Sequence, residues 1–153
     1  MKMTFLCARH REWLEANPTA AHNTWLRAYD RGSELAGEGR FREAVSHAGC
    51  ALEAAGILLR EGQPLDSRMI AGFSESAVLL ASLLIRQQER RSASAVIAGS
   101  VASLEKLLSR NVERAVVLAG CKRLLQIGDD VVLARVPRNP QPGQATQPNL
   151  SVH

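Results

Sequence analysis

Three observations predict an all-α fold built from antiparallel helical hairpins. From Phe41 to Ile127 every apolar series recurs at spacings of three and four, and none alternates over a long stretch. Apolar residues make up 46% of the 153 positions, mostly Ala, Leu and Val, while aromatics make up 4%; Ala and Leu favour helices, and a sheet protein would draw on β-branched and aromatic residues. The periodic runs are also punctuated by helix-stopping groups: Asn17-Pro18, Gly37-Glu38-Gly39 and Gly62-Gln63-Pro64.

A first helix is predicted from about Met3 to Ala16, with Leu6, His10, Trp13 and Leu14 on one face. Thr19 is the expected N-cap of a second, which carries Trp25, Leu26, Tyr29 and Leu35. The third runs from about Arg40 to Arg60 and aligns Phe41, Ala44, Val45, Ala48, Ala51, Leu52, Ala55, Leu58 and Leu59. A fourth starts after Pro64 with Asp66 or Ser67 in its first turn, and its stripe is Leu65, Met69, Phe73, Ala77, Leu80 and Leu84. Val78, Leu79, Ala81, Leu83 and Ile85 make its second half apolar nearly all round, which places it at the centre. After the polar run Gln87–Ser92, a fifth helix spans about Ala93–Ser109 with Val96, Ile97, Val101, Leu104, Leu107 and Leu108. A sixth opens at Asn111, carries Val112, Val116, Ala119, Leu124 and Ile127, and is expected to break at Gly128-Asp129-Asp130. Val131–Val136 then forms one more helical turn or a short edge strand. Residues 1–136 are read as a single domain. Residues 137–153, with Pro137, Pro140, Pro142 and Pro148 among Gln, Asn and Gly, are read as a disordered tail.

Within the second and third helices several positions form a pattern. Gly32 is a small site where two helices touch, Leu35 a large apolar position, and Gly39 a turn glycine. Phe41 opens the next helix, Ala44, Ala48 and Ala51 lie on a close-packing face, and Leu52 follows. Close helix crossings need small side chains, and the turn needs a residue tolerant of positive φ. The stretch Ala28–Leu52 thus resembles a tetratricopeptide (TPR) repeat, a helix–turn–helix unit of about 34 residues. Ala28 stands where that pattern often has Trp, and Gly56 replaces its closing proline. A second unit, Leu65–Leu108, matches only in layout, with Ala93 or Ala95 as its packing alanine. The resemblance implies hairpins stacked as a short right-handed superhelix or bundle. It also implies a partner-binding groove lined by the first helix of each unit: here Leu26, Tyr29, Asp30 and Ser33, with Ala36 at the floor. Tyr29 and Ser33 stand where the subtype that grips a C-terminal carboxylate has Lys and Asn, so the groove is expected to suit a peptide or amphipathic helix of another protein, as in an adaptor or chaperone.

Other classes find less support. The net charge is +4, with 16 Arg and three Lys scattered along the chain, a skew read as the codon bias of a GC-rich bacterial genome. A helical nucleic-acid-binding regulator is the alternative function, resting on this charge alone. Cys7, Cys50 and Cys121 are few, odd in number and far apart, so half-buried reduced thiols in a cytoplasmic protein are expected. The apolar run at Phe5–Ala8 is too short for a secretory leader, and no membrane segment is expected. His47 and Cys50 have a zinc-compatible spacing, but no second pair completes a tetrahedral set, so no metal is expected. No nucleophile motif, phosphate loop or dinucleotide fingerprint is present, and the chain is read as non-enzymatic without a cofactor. Finally, Val116-Val117-Leu118-Ala119 must turn one or two apolar side chains outward by helical geometry, which predicts a homodimer through the C-terminal half or a fold-back of Val131–Val136.

Overall fold

The computed structural model describes residues 3–60 and 64–133. They form six helices: α1 (Ala8–Ala16), α2 (Pro18–Gly37), α3 (Phe41–Leu58), α4 (Ser67–Arg86), α5 (Arg90–Leu107) and α6 (Arg114–Leu133), with no strand among the described residues. The fold is all-α, as the periodicity predicted.

The α2–α3 hairpin is set by Gly39, whose φ of 76° lies where only glycine is unstrained. The Gly39 amide donates to the Ala36 carbonyl and the Arg40 amide to that of Leu35, closing α2. At the crossing, a Cβ on Gly32 would stand 3.2 Å from the Ala48 amide nitrogen and 3.5 Å from the Ala44 carbonyl. Ala44 and Ala48 are fully buried there. The small residues are therefore what lets two backbones approach.

The α4–α5 hairpin repeats this unit. Each boundary is displaced by 49 residues (18 to 67, 37 to 86, 41 to 90, 58 to 107). Gln88 takes the place of Gly39 with φ 65°, and the Gln88 and Glu89 amides donate to the Ile85 and Leu84 carbonyls in the same pattern. Leu84 answers Leu35, Ala81 answers Gly32 and Ala93 answers Ala44, all buried. Ala93, not the exposed Ala95, is thus the packing alanine. α4 packs on α2, α3, α5 and α6, and α6 packs on α4 and α5, an arrangement compatible with a helical repeat.

α4 is long and apolar enough to cross a membrane by length and composition alone, contrary to the expectation that no segment would be. Its central place explains this: Ile70, Phe73, Ala77, Leu80, Ala81 and Leu84 are all spent on neighbouring helices. Several other expectations are corrected. α1 starts at Ala8 rather than Met3, because the amides of Phe5 and Leu6 are captured by the Glu53 carboxylate and not by a helix. On the predicted α1 face only Leu6 and Leu14 are buried, and Trp13 is 53% exposed. α2 begins at Pro18 with Asn17 as N-cap, since proline at the first position needs no amide partner. For α4 the N-cap is Asp66, which accepts from the Met69 amide. α5 begins at Arg90, so the polar loop is only Gln87–Glu89. α6 begins at Arg114 and does not break at Gly128-Asp129-Asp130: Gly128 packs against Ile97, and Val131, 4% exposed, anchors the last turn. Cys7 is exposed, Cys50 half-buried and Cys121 buried, so only two of the three thiols are in or near the core. The expected tail, 137–153, lies outside the described residues, as do 134–136.

Candidate functional site

The α3 and α5 backbones stand apart along their length, and α4 lies between them. The result is a cleft of about 420 Å³. Its floor is Leu52, Phe73 and Leu80. One wall is Gly49, Glu53 and Gly56 of α3 with Arg60 just beyond its end, and the other is the α5 series Ser92, Ala95, Gly99 and Ser103. Small residues at three-four spacing hold the walls back without closing the cleft.

One end is already taken by the chain's own N-terminal segment. The Phe5 ring lies on Gly49, where a Cβ would stand 2.2 Å from the ring. The Phe5 and Leu6 amides donate to Glu53 Oε1 and Oε2 at 3.0 and 2.7 Å, and Arg11 completes the carboxylate at 3.1 Å. The Cys50 thiol points to the Phe5 carbonyl, and burial, followed by the neighbouring Glu53, pushes its pKa up. Arg60 at the same end pairs with Glu15 of α1 at 2.7 Å. Glu53 is thereby saturated, and beyond Phe5 the remaining cleft is an apolar floor between small, partly hydroxylated walls.

The groove residues expected from the sequence stand on a different face, shared by α2, α4 and α6. Leu26 is 40% exposed, Asp30 and Ser33 are exposed, and Tyr29 and Ala36 are half-buried. The structure brings two of the five, Tyr29 and Ser33, side by side on α2, and Ala36 instead supports the core near the α2–α3 turn. Glu75 of α4 lies beside Tyr29 and pairs with Arg123 of α6. Burial first, then the Glu75 charge, hold the Tyr29 pKa above its ordinary value. The centre of this face is therefore polar.

Sequence reasoning missed Phe5, Glu53, Gly56 and Gly99 as cleft residues. A usable signal was present: Gly49 and Gly56 lie seven apart on one helix face, and an interior helical glycine with no turn role marks a close approach or an open site. Among the described residues no three His, Cys, Asp or Glu side chains gather as a metal site. Compared with protein-family models, curated proteins and solved structures, the chain matches none.

Proposed function

We propose that this chain is a non-enzymatic protein-interaction module of helical-repeat type, which takes a short apolar segment of a partner protein in the cleft between α3 and α5. The observation that carries this is the seating of Met3–Leu6. A non-helical segment lies against α3 with its aromatic ring on a glycine and its amides on a carboxylate, a main-chain grip that reads chain conformation more than sequence. Adaptors and chaperones both use such a grip. The unit resembles a tetratricopeptide repeat in its small-residue crossing and turn, although at 49 residues per step (41 to 90) it is longer than that family's ~34.

The test is affinity capture from the native host with the full chain and with Gly99→Trp. Nothing lies within 4 Å of a Cβ on Gly99, so a side chain can leave the backbone there, and an indole would occupy the cleft. A partner recovered by the wild type and lost with the variant, at unchanged circular dichroism, is the expected result. Equal recovery by both would refute the cleft as the site.

A second surface for the same role is the α2–α4–α6 face, favoured by the Tyr29–Glu75–Arg123 cluster across these three helices. There Leu26→Glu would abolish capture that Gly99→Trp leaves intact. The nucleic-acid alternative is weakened by pairing: Arg11, Arg31, Arg40, Arg60 and Arg123 each face a glutamate. A salt titration against random RNA and DNA decides it, because phosphate contacts make affinity fall steeply with salt.

A further inference from the structure

The repeat extends into α6. A Cβ on Gly72 of α4 would meet Trp25 of α2, and a Cβ on Gly120 of α6 would meet Ser74 of α4. Gly120 thus stands to α4 as Gly72 stands to α2, and α6 is the first helix of a third unit. In the first two units the first helix buries one stripe, covered by its second helix except at Ser74, which meets α6. On α2 it is Ala21, Ala28, Gly32 and Leu35, and on α4 it is Ile70, Ser74, Ala77, Ala81 and Leu84, all buried. Carried over at the Gly72–Gly120 register, that stripe on α6 is Leu118, Lys122, Leu125, Asp129 and Val132. All five are exposed, with Leu118 at 50%, Leu125 at 53% and Val132 at 61%. Leu125 and Val132 also flank a shallow groove against Ala98, Val101 and Ala102 of α5. α6 therefore shows bare the seat of a second helix. The sequence after Leu133 contains no series of apolar residues at three-four spacing to fill it.

We propose that a second copy of the chain fills it, its α6 lying antiparallel on this α6 about a two-fold axis near Leu125. Antiparallel is the direction in which α3 lies on α2 and α5 on α4. The charges select this pairing. A two-fold near Leu125 sets Leu118 against Val132 of the other copy, Leu125 against itself, and Lys122 against Asp129, twice by symmetry. Neither Lys122 nor Asp129 has an ion-pair partner among the described residues. Seven residues apart on one helix, they stand about 10 Å from each other and do not pair within the chain. A parallel arrangement would instead bring Lys122 near Lys122 and Asp129 near Asp129.

Sedimentation velocity of the full chain, from about 1 to 200 µM, tests this with charge reversals. The expected wild-type species has twice the 16.6 kDa chain mass. Lys122→Asp alone and Asp129→Lys alone each convert two attractive contacts into two repulsive ones and weaken the dimer at least about tenfold. The double variant Lys122→Asp/Asp129→Lys restores it. These positions are exposed, so circular dichroism stays native. As a second measurement, oxidised Leu125→Cys gives a covalent dimer beyond the background of the wild type. A 16.6 kDa species at every concentration overturns the proposal, with residues 134–153 or another protein then covering the stripe. A dimer that single reversals leave intact, or that the double reversal fails to restore, overturns the antiparallel pairing.

Discussion

Replacing Gly72 by Ala sets two opposing effects of known size against each other. Gly72 is interior to α4, where alanine gains about 1 kcal/mol of helix propensity over glycine. Against this stands the Trp25 indole, whose Cζ2, Cη2 and Cε2 lie 2.0, 2.4 and 2.8 Å from the new Cβ. The ring must swing away by more than an ångström, and it is not free to do so at no cost. Its Nε1 donates to Ser76 Oγ at 3.1 Å, and its ring makes a T-shaped contact with that of His22. Breaking the hydrogen bond costs about 1 kcal/mol and overpacking roughly 1–3 kcal/mol. The net expectation is a loss of about 1–3 kcal/mol, or roughly 3–12 °C in melting temperature. Gly99→Ala is the control: its Cβ meets nothing within 4 Å, so only the propensity gain remains and the protein is stabilised by about 0.5–1 kcal/mol. Thermal and urea unfolding read the stability. Tryptophan emission reads the displaced ring, best in a Trp13→Phe background because exposed Trp13 would mask it. If Gly72→Ala stabilises the chain as Gly99→Ala does, the seating of Trp25 on α4 is wrong.

Other outcomes follow from the same geometry. Ala44→Leu, at a fully buried position against Gly32, should cost about 1–3 kcal/mol, whereas Arg42→Leu on the exposed side of α3 should cost less than about 0.5 kcal/mol; equal effects in urea would contradict the crossing. Tyr29 is the chain's one tyrosine, so tyrosinate absorbance reports it alone and should titrate above the ordinary value of 10.0. Since the folded value is the higher, its stabilising contribution is complete below pH 10.0, is lost as pH rises through the folded value, and should shrink in Glu75→Gln. Of the three thiols, Cys7 should be modified first under native conditions; Cys50 and Cys121, both held up by burial and a nearby glutamate, should need local opening, as mass spectrometry of timed alkylation would show.

The fold was legible wherever chemistry acted locally. Spacing located the six helices, Gly39 announced its turn, and the all-round apolar half of α4 foretold a central helix. Several misreadings share one cause, contacts between residues distant in sequence. Phe5 and Leu6 leave α1 because Glu53, about fifty positions away, offers their amides a better partner than a frayed helical turn. Gly128-Asp129-Asp130 reads as a stop, yet the helix runs through it, with Gly128 in contact with Ile97 and Val131 buried. The second repeat was hidden because Gln88, a residue that seldom accepts positive φ, stands in for the turn glycine. For the site, the resemblance pointed to the first helices, with Tyr29 and Ser33 among the residues it named. Burial of Tyr29 between Glu75 and Arg123 came from helices the resemblance did not align. The cleft lies on the second helices instead.

α5 links the two surfaces. Its Ser92, Ala95, Gly99 and Ser103 line the cleft, and its Ala98, Val101 and Ala102 line the groove beside the bare stripe of α6. A helix of 18 residues with small side chains on two separate faces has little intrinsic reason to hold one position. What fixes it is the third face, where Ala93, Ile97, Ser100, Leu104 and Leu107 are buried. A second copy seated on α6 and against Ala98 and Ala102 would press α5 from the side away from the cleft. Cleft width and dimerisation are then coupled through one helix, and the coupling must run both ways. Gly99→Trp, which enlarges α5 on its cleft face, should therefore change the dimer dissociation constant measured by sedimentation, although no residue of the α6 stripe is altered. An unchanged constant would mean that α5 is held by its buried face alone and that the two surfaces act independently.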